Sequence, residues 1–369
     1  MKRMTGNDLF YALVLQHIPN MGDATAKKLI RKFGSPENVL KEKKSTLLKL
    51  DGIGAAKVKD LQNKEHFKAA EEELNFIEKN SVQTHYFQEA SYPEKLKHCL
   101  DAPILLFSKG TIDLKKRKII SVVGTRQITA HGTDFCEKFI EELAILNPVI
   151  ISGYAYGVDI CAHKAAIRNK LQTVACLAHG FQTIYPKAHK KYNNQMMENG
   201  GFYTDFWSTD KFDRNNFLKR NRIIAGLSEA TVVIESAEKG GALVTADIAS
   251  SYDREVFAVP GRPTDKFSTG CNNLIRRQNA HVLTSAADLI YMLNWKADEP
   301  PKTVQKQLFV ELDPEEQKVY DFLNAEGKTE LDALALHCNF PTFKTASLLL
   351  NMELKGSIRP LPGKMFEVI

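Results

Sequence analysis

The sequence has no CxxC pair. Its six cysteines, at 99, 136, 161, 176, 271 and 338, stand singly, most of them inside apolar runs. That pattern argues against a disulfide framework and against a metal site, and reads as free buried thiols in a reducing cytosol. Long apolar runs are also missing. No stretch approaches the ~18 continuous apolar residues of a membrane span, and the opening MKRMTGNDLF lacks the apolar core of a signal peptide. The expectation is a cytoplasmic protein with no membrane partner. Charge of one sign is in small excess: Lys+Arg 50 against Asp+Glu 44 gives a net charge of +6. That balance permits a nucleic-acid partner without arguing for one, so the placement of charge matters more than its sum. Several catalytic signatures are absent: a full GxGxxG at the first strand turn, GxxxxGKS/T, HExxH and GxSxG. A nicotinamide cofactor or NTP hydrolysis has no support, and no cofactor is expected.

What is present centres on Phe217–Thr245, FLKRNRIIAGLSEATVVIESAEKGGALVT. Lys219, Arg220 and Arg222 follow an aromatic, Phe217. Ala230–Glu235 reads as a buried strand without alternation. Lys239-Gly240-Gly241 then leads into a helix over 242–250. A strand, a glycine turn and a helix start bring free backbone N–H groups and a positive dipole end to one point, where an anion is expected.

The same alternation runs through 81–295. Apolar strands end at Gly124-Thr125-Arg126, at Gly153, near Gly180, at Glu235 and at Pro260-Gly261-Arg262, with amphipathic helices between. This predicts an α/β domain: an extended Rossmann-like, doubly wound, mostly parallel sheet with ligands at the carboxyl ends of its strands. Residues 1–80 read as a lysine-rich helical domain of helix-hairpin-helix or SAM-like type. Its two hairpins are Ile18–Gly22 and Leu50–Gly54, the latter followed by Lys57 and Lys59. Glycine turns and helix starts of this kind contact phosphate, but a small helical bundle touching no nucleic acid gives the same pattern. Residues 296–311 read as a polar linker with Pro300-Pro301 inside it. Residues 312–369 read as three helices and a hairpin, a winged-helix-like domain. Its third helix offers only Lys344 and Lys355 around Leu348, Leu349, Leu350 and Met352, which favours protein contact or packing over DNA reading.

Candidate chemistry falls into two groups. Asp159 and His163 lie four apart on one helix face. They are either an acid/base pair or a helix-start acceptor and a packed imidazole. Glu235 is either a base at a strand tip or a partner that orients Arg220 or Arg222. The basic set is more informative. Arg126, Lys219, Arg220, Arg222, Lys239 and Arg262 all fall at strand ends, with Arg214 and Phe217 at or beside a polar stretch, 210–216. A cationic groove with an aromatic is what single-stranded nucleic acid needs, since phosphates take the cations and a base stacks on the ring. A solvated loop with an ordinary core phenylalanine fits the spacing as well.

Several motifs together carry a resemblance. They are Gly124-Thr125-Arg126, SGYAYGVDICAH over Ser152–His163, FLKRNRIIAGLS over Phe217–Ser228, ESAEKGGALVTA over Glu235–Ala246, Pro260-Gly261 and GCNNLI over Gly270–Ile275. In this order they resemble the DNA-processing protein A family (DprA, also called Smf) across about 85–295. The flanking segments fit that family's three-part layout. The resemblance implies a non-catalytic protein of natural transformation that binds and protects incoming single-stranded DNA and helps load the RecA recombinase. It also implies a homodimer formed through the Rossmann-like domain. Carried onto this chain, Arg126 grips phosphate, Arg220 and Arg222 do the same or brace the pocket, and Phe217 stacks or wedges. Lys219 and Arg214 add charge, and Gly124, Gly153, Gly157 and Gly241 open the backbone. Thr125, Asn221, Lys239, Gly240 and Thr245 complete the expected DNA-binding set. Thr125 and Gly240 depart from the serines usual there, and Asn279 from a glycine. One alternative of another class stays open: a nucleoside-monophosphate glycosidase, with Glu235 beside a ribose and Lys239-Gly240-Gly241 on its phosphate.

Overall fold

The computed structural model describes residues 6–296, 312–361 and 364–368. The expected linker at 296–311 lies, apart from Lys296, outside the described residues, as does the Pro362-Gly363 turn. The chain divides into two compact units, Met1–Ala297 and Asp298–Ile369.

The first unit is built on nine strands: β1 (Gln83–Tyr86), β2 (Leu105–Gly110), β3 (Ile119–Val123), β4 (Val149–Ser152), β5 (Thr173–Cys176), β6 (Gly200–Thr204), β7 (Ala230–Val233), β8 (Glu255–Ala258) and β9 (His281–Val282). They lie in the order β1-β2-β6-β5-β4-β3-β7-β8-β9. β2 pairs antiparallel with β1 and β6, and the other pairings are parallel. The chain steps outward from β3 to β6, then returns to lay β7 on the other side of β3. The order therefore reverses between β3 and β7, whose ends are level at the Val123–Val233 pairing. The ligand crevice of an open α/β sheet opens at such a point.

β3 and β7 are buried at every position because both faces are covered. Ile120 and Val122 point to one side, into a core with Phe139, Ile140 and Ala162 of the helices Ala130–Leu143 and Val158–Arg168. Ile119 and Val123 point to the other, against Ile223 and Ala246 of the helices Asn215–Leu227 and Gly241–Ser251. The first of these last two helices starts inside the polar stretch 210–216. The Asp213 carboxylate accepts the Asn215 N–H at 2.7 Å. This ends the polar stretch at 214 and puts Phe217 on the helix.

Six N-terminal helices, from Gly6–His17 to Lys64–Lys79, form a layer whose apolar residues join the second of these cores. Leu13, Leu29 and Ile30 belong to the same cluster as Ile104, Leu105 and Ile223. Polar ties reinforce it. The Trp207 indole donates to Gln16 Oε1 at 2.8 Å, and the buried Glu73 carboxylate accepts the Ser208 N–H at 3.0 Å.

The second unit has the helices Pro314–Glu326, Leu331–Cys338 and Thr342–Leu354. A three-stranded sheet, β10 (Thr329–Glu330), β11 (Ile358–Leu361) and β12 (Met365–Val368), accompanies them in the order β10-β12-β11. Asp313 and Glu316 form a capping box at its start, and Val319, Leu323, Leu334, Leu349 and Met352 form its core. Among the described residues no helix is long and apolar enough to cross a membrane.

Candidate nucleic-acid interface

The loop after β3 carries Gly124, Thr125 and Arg126. Opposite it, the helix Gly241–Ser251 begins at Gly240 with no side-chain cap, so its first turn offers N–H groups and the positive end of its dipole. Between them opens a pocket of about 630 Å³. Gly124, Thr125, Arg126, Arg214, Phe217, Arg220, Asn221, Lys239, Gly240, Gly241 and Thr245 all line it. The Asn215–Leu227 helix forms one wall because Phe217, Arg220, Asn221 and Ile224 recur three or four apart on one face.

Each side chain at the centre has a distinct setting. Arg126 is exposed, makes no ion pair among the described residues, and lies with its guanidinium 4.9 Å from the centre of the Phe217 ring. Phe217 is itself held by Tyr185 at 6.0 Å and Phe212 at 5.6 Å between ring centres. Arg220 lies beneath, buried, 5.9 Å from the same ring, donating to the Cys176 carbonyl. Its charge faces Asp159. Burial pushes the Asp159 carboxyl up, while the Arg220 guanidinium opposes that shift. Burial likewise lowers the Arg220 pKa, with Asp159 opposing. Arg220 thus lies under the pocket floor, and Arg126, Arg214 and Lys239 are its exposed cations.

Two glycines of the expected set act from below. Gly157 has φ +77°, and an added Cβ there would strike the Thr125 carbonyl oxygen. That oxygen accepts the Val158 N–H at 3.1 Å, which fixes the Arg126 loop to the start of the next helix. At Gly153 a Cβ would run into Asp159 and Arg220.

Three cations of the expected set point elsewhere. Arg222 is ion-paired to Asp205 and, at 3.2 Å, to Asp23 of the helical layer. Burial opposes its charge, but the two carboxylates hold the guanidinium's pKa above its ordinary value. Lys219 lines the same second hollow, with Asp205, Asp210 and Trp207. Arg262 borders a third hollow, with Glu235 and Phe267.

The catalytic candidates have structural partners. His163 is fully buried, with one ring nitrogen 2.7 Å from Thr173 Oγ1 and the other on the Gly153 carbonyl. Desolvation lowers its pKa to about 4. It shares no hydrogen bond with Asp159 among the described residues. Glu235 orients neither arginine. Its carboxylate accepts the Thr129 N–H at 2.9 Å and the Thr129 hydroxyl, fixing the start of the Ala130–Leu143 helix.

Tyr185, Phe212, Leu218 and Ser236 also line the pocket and were not singled out from the sequence. The available signal was an aromatic interleaved with basic residues, Phe212 between Lys211 and Arg214.

The family model for the DNA recombination-mediator protein A matches residues 83–294. The chain belongs to this family. A DprA winged helix domain matches 300–364 and a SAM-like helix-hairpin-helix tandem matches 12–64. Protein Smf of Synechocystis is 30% identical over 300 residues, spanning 79% of this chain and 74% of that protein. DNA processing protein DprA of Streptococcus pneumoniae is 37% identical over 199 residues, spanning 54% of this chain and 70% of that one. The crystal structure of the S. pneumoniae protein superposes with TM-score 0.64 at 29% identity, covering 79% of this chain and 98% of its own. A solved structure of the Helicobacter pylori DNA processing protein A, described for its single-stranded DNA binding mode, superposes with TM-score 0.52 at 25% identity, covering 58% of this chain and 95% of its own.

Proposed function

We propose that this chain binds single-stranded DNA in the pocket between the β3 and β7 ends. It protects that strand and helps load the RecA recombinase onto it during natural transformation. In this reading the protein is a non-catalytic cytoplasmic homodimer.

The observation that carries the reading is the exposed Arg126 guanidinium over Phe217, opposite the uncapped start of the Gly241–Ser251 helix. Phosphates take Arg126, Arg214, Lys239 and the Gly240-Gly241 backbone, and a base takes the Phe217 face. The single-stranded DNA binding described for the H. pylori relative supports the ligand class. The enclosure of Glu235 and His163 in structural hydrogen bonds favours a binder over a hydrolase.

The test is equilibrium binding of a fluorescent oligonucleotide, single-stranded against duplex, across a salt series, for the intact protein and Arg126→Ala. The expected result is single-strand preference and a log–log salt slope near −0.7 per phosphate contacted. Arg126→Ala should weaken binding to all sequences alike, because phosphate contacts carry no code. Sequence-selective loss would overturn the role of Arg126. Release of free base from a mononucleotide, abolished by Glu235→Gln, would establish the glycosidase instead. Sedimentation tests the homodimer, and RecA filament formation on the bound strand tests loading.

A further inference from the structure

We propose that the helical layer carries a second cationic groove that grips the phosphodiester backbone of a single strand outside the sheet-edge pocket. This rests on the single-stranded DNA reading above. The groove runs along the Asp23–Phe33 helix, where Lys27, Lys28, Arg31 and Lys32 share one face. Its other wall is Lys97 and His98, and it encloses about 420 Å³.

The charge is only partly neutralised. Lys97 pairs with Glu94 at 2.8 Å. Lys28 donates to the Asp51 carbonyl at 2.6 Å, which leaves its charge in place. Arg31, Lys32 and His98 are exposed, and their side chains make no hydrogen bond or ion pair among the described residues. Lys27 is only 5% exposed. Its ammonium rests on the carbonyl oxygens of Cys99 and Leu100, at 3.3 and 3.4 Å, and makes no ion pair among the described residues, with the Asp23 and Asp101 carboxylates acting on it from further away. A trough whose helix wall carries Lys27, Lys28, Arg31 and Lys32 concentrates positive potential along a line, which suits a linear polyanion. Leu100, 82% exposed beside it, offers an apolar face to a base. A flat anionic membrane fits the concave shape less well.

The groove is distinct from the hairpin ends through which helix-hairpin-helix turns contact phosphate. At the first hairpin the Asp23 carboxylate accepts the Ile104 N–H at 2.8 Å and pairs with Arg222, so an internal anion sits at that helix start. At the second, Lys57 binds the hairpin's own Gly52 carbonyl, and Lys28, which lines the groove, reaches the Asp51 carbonyl at its edge. The groove is also separate from the sheet-edge pocket. The hollow that adjoins it at Ala24 is lined by Asp23, Asp101, Asp205 and Asp210 against Lys219 and Arg222, and that excess of carboxylates disfavours phosphate. One strand therefore touches the protein in two places.

The test compares a short oligonucleotide of about 6 nucleotides with one of about 30, the first within the range held by one binding module. In Arg31→Glu/Lys32→Glu the short strand should bind as to the unaltered protein. The long strand should lose about tenfold in affinity and about 1.4 in salt slope, two phosphates at ~0.7 each. Arg126→Ala should weaken both strands. In the unaltered protein the long strand should protect Lys28, Lys32 and Lys97 from acetylation, read by mass spectrometry, so the groove is tested even if the double variant fails to fold. Unchanged long-strand affinity and slope, together with equal acetylation with and without DNA, would overturn the proposal. So would protection by anionic phosphatidylglycerol vesicles alone. If the double variant weakens the long strand while Arg126→Ala changes neither, the groove stands and the sheet-edge reading falls.

Discussion

Phe217 meets two guanidiniums and two aromatic rings; in the proposed reading a base stacks on it. Stacking of this kind contributes about 1–3 kcal/mol per base. Phe217→Ala should therefore weaken single-strand binding by roughly 5- to 150-fold in a fluorescence titration, and Phe217→Tyr should stay near the original value. His163 gives a prediction of another sort. Its folded pKa of about 4 lies below the ordinary 6.5, so the unfolded chain takes up the proton first as pH falls. Its neutral burial is fully tolerated above pH 6.5, and stability is lost between 6.5 and 4, by about 3 kcal/mol at most. Thermal melts over that window should show the fall, and His163→Gln should flatten it. At this scale the sequence was readable where a side chain lines the pocket from its own motif, as Arg126 and Lys239 do. It was not readable for Tyr185 and Phe212, which reach Phe217 from the loops on either side of β6. Arg220 and Arg222 look equivalent in one motif, yet two residues turn a helix by about 200° and send them to opposite sides.

The Asn215–Leu227 helix accordingly does two jobs. One face lines the pocket, and the other clamps the helical layer through Arg222, Asp23 and Asp205. Arg222→Leu leaves two carboxylates partly buried without their cation and should cost about 3–5 kcal/mol of stability. Strand affinity of the folded fraction should barely change; a loss as large as that of Arg126→Ala would show that Arg222 touches DNA. The loop before the Val158–Arg168 helix is similarly specific. Gly157→Ala meets both a positive φ and the Thr125 carbonyl, and should cost stability and strand affinity together, read by melting and titration. Elements were legible where burial on both faces removes alternation, as in β3 and β7. The antiparallel edge of β1 and β2 was less so, because its placement beyond β6 depends on pairing partners far away in the chain.

Across the whole molecule, the two lysines of the Thr342–Leu354 helix and its C-cap are committed to acids. Lys344 pairs with Glu315 and Lys355 with Glu316. The exposed side of that helix presents Phe343, 79% exposed, and Leu354, 80% exposed. A chain ending at residue 297 should keep its single-strand affinity and salt slope within about twofold, a difference of ~0.4 kcal/mol. A larger loss would assign the winged-helix unit a share of the strand.

The helical layer and the sheet pack into a single apolar cluster that runs from Leu13 through Ile104 to Ile223. The layer therefore shares part of its interior with the sheet. Its slowest amide protons should therefore exchange through the same global opening as those of β3 and β7. A chain beginning at residue 81 would expose the sheet side of that cluster to water.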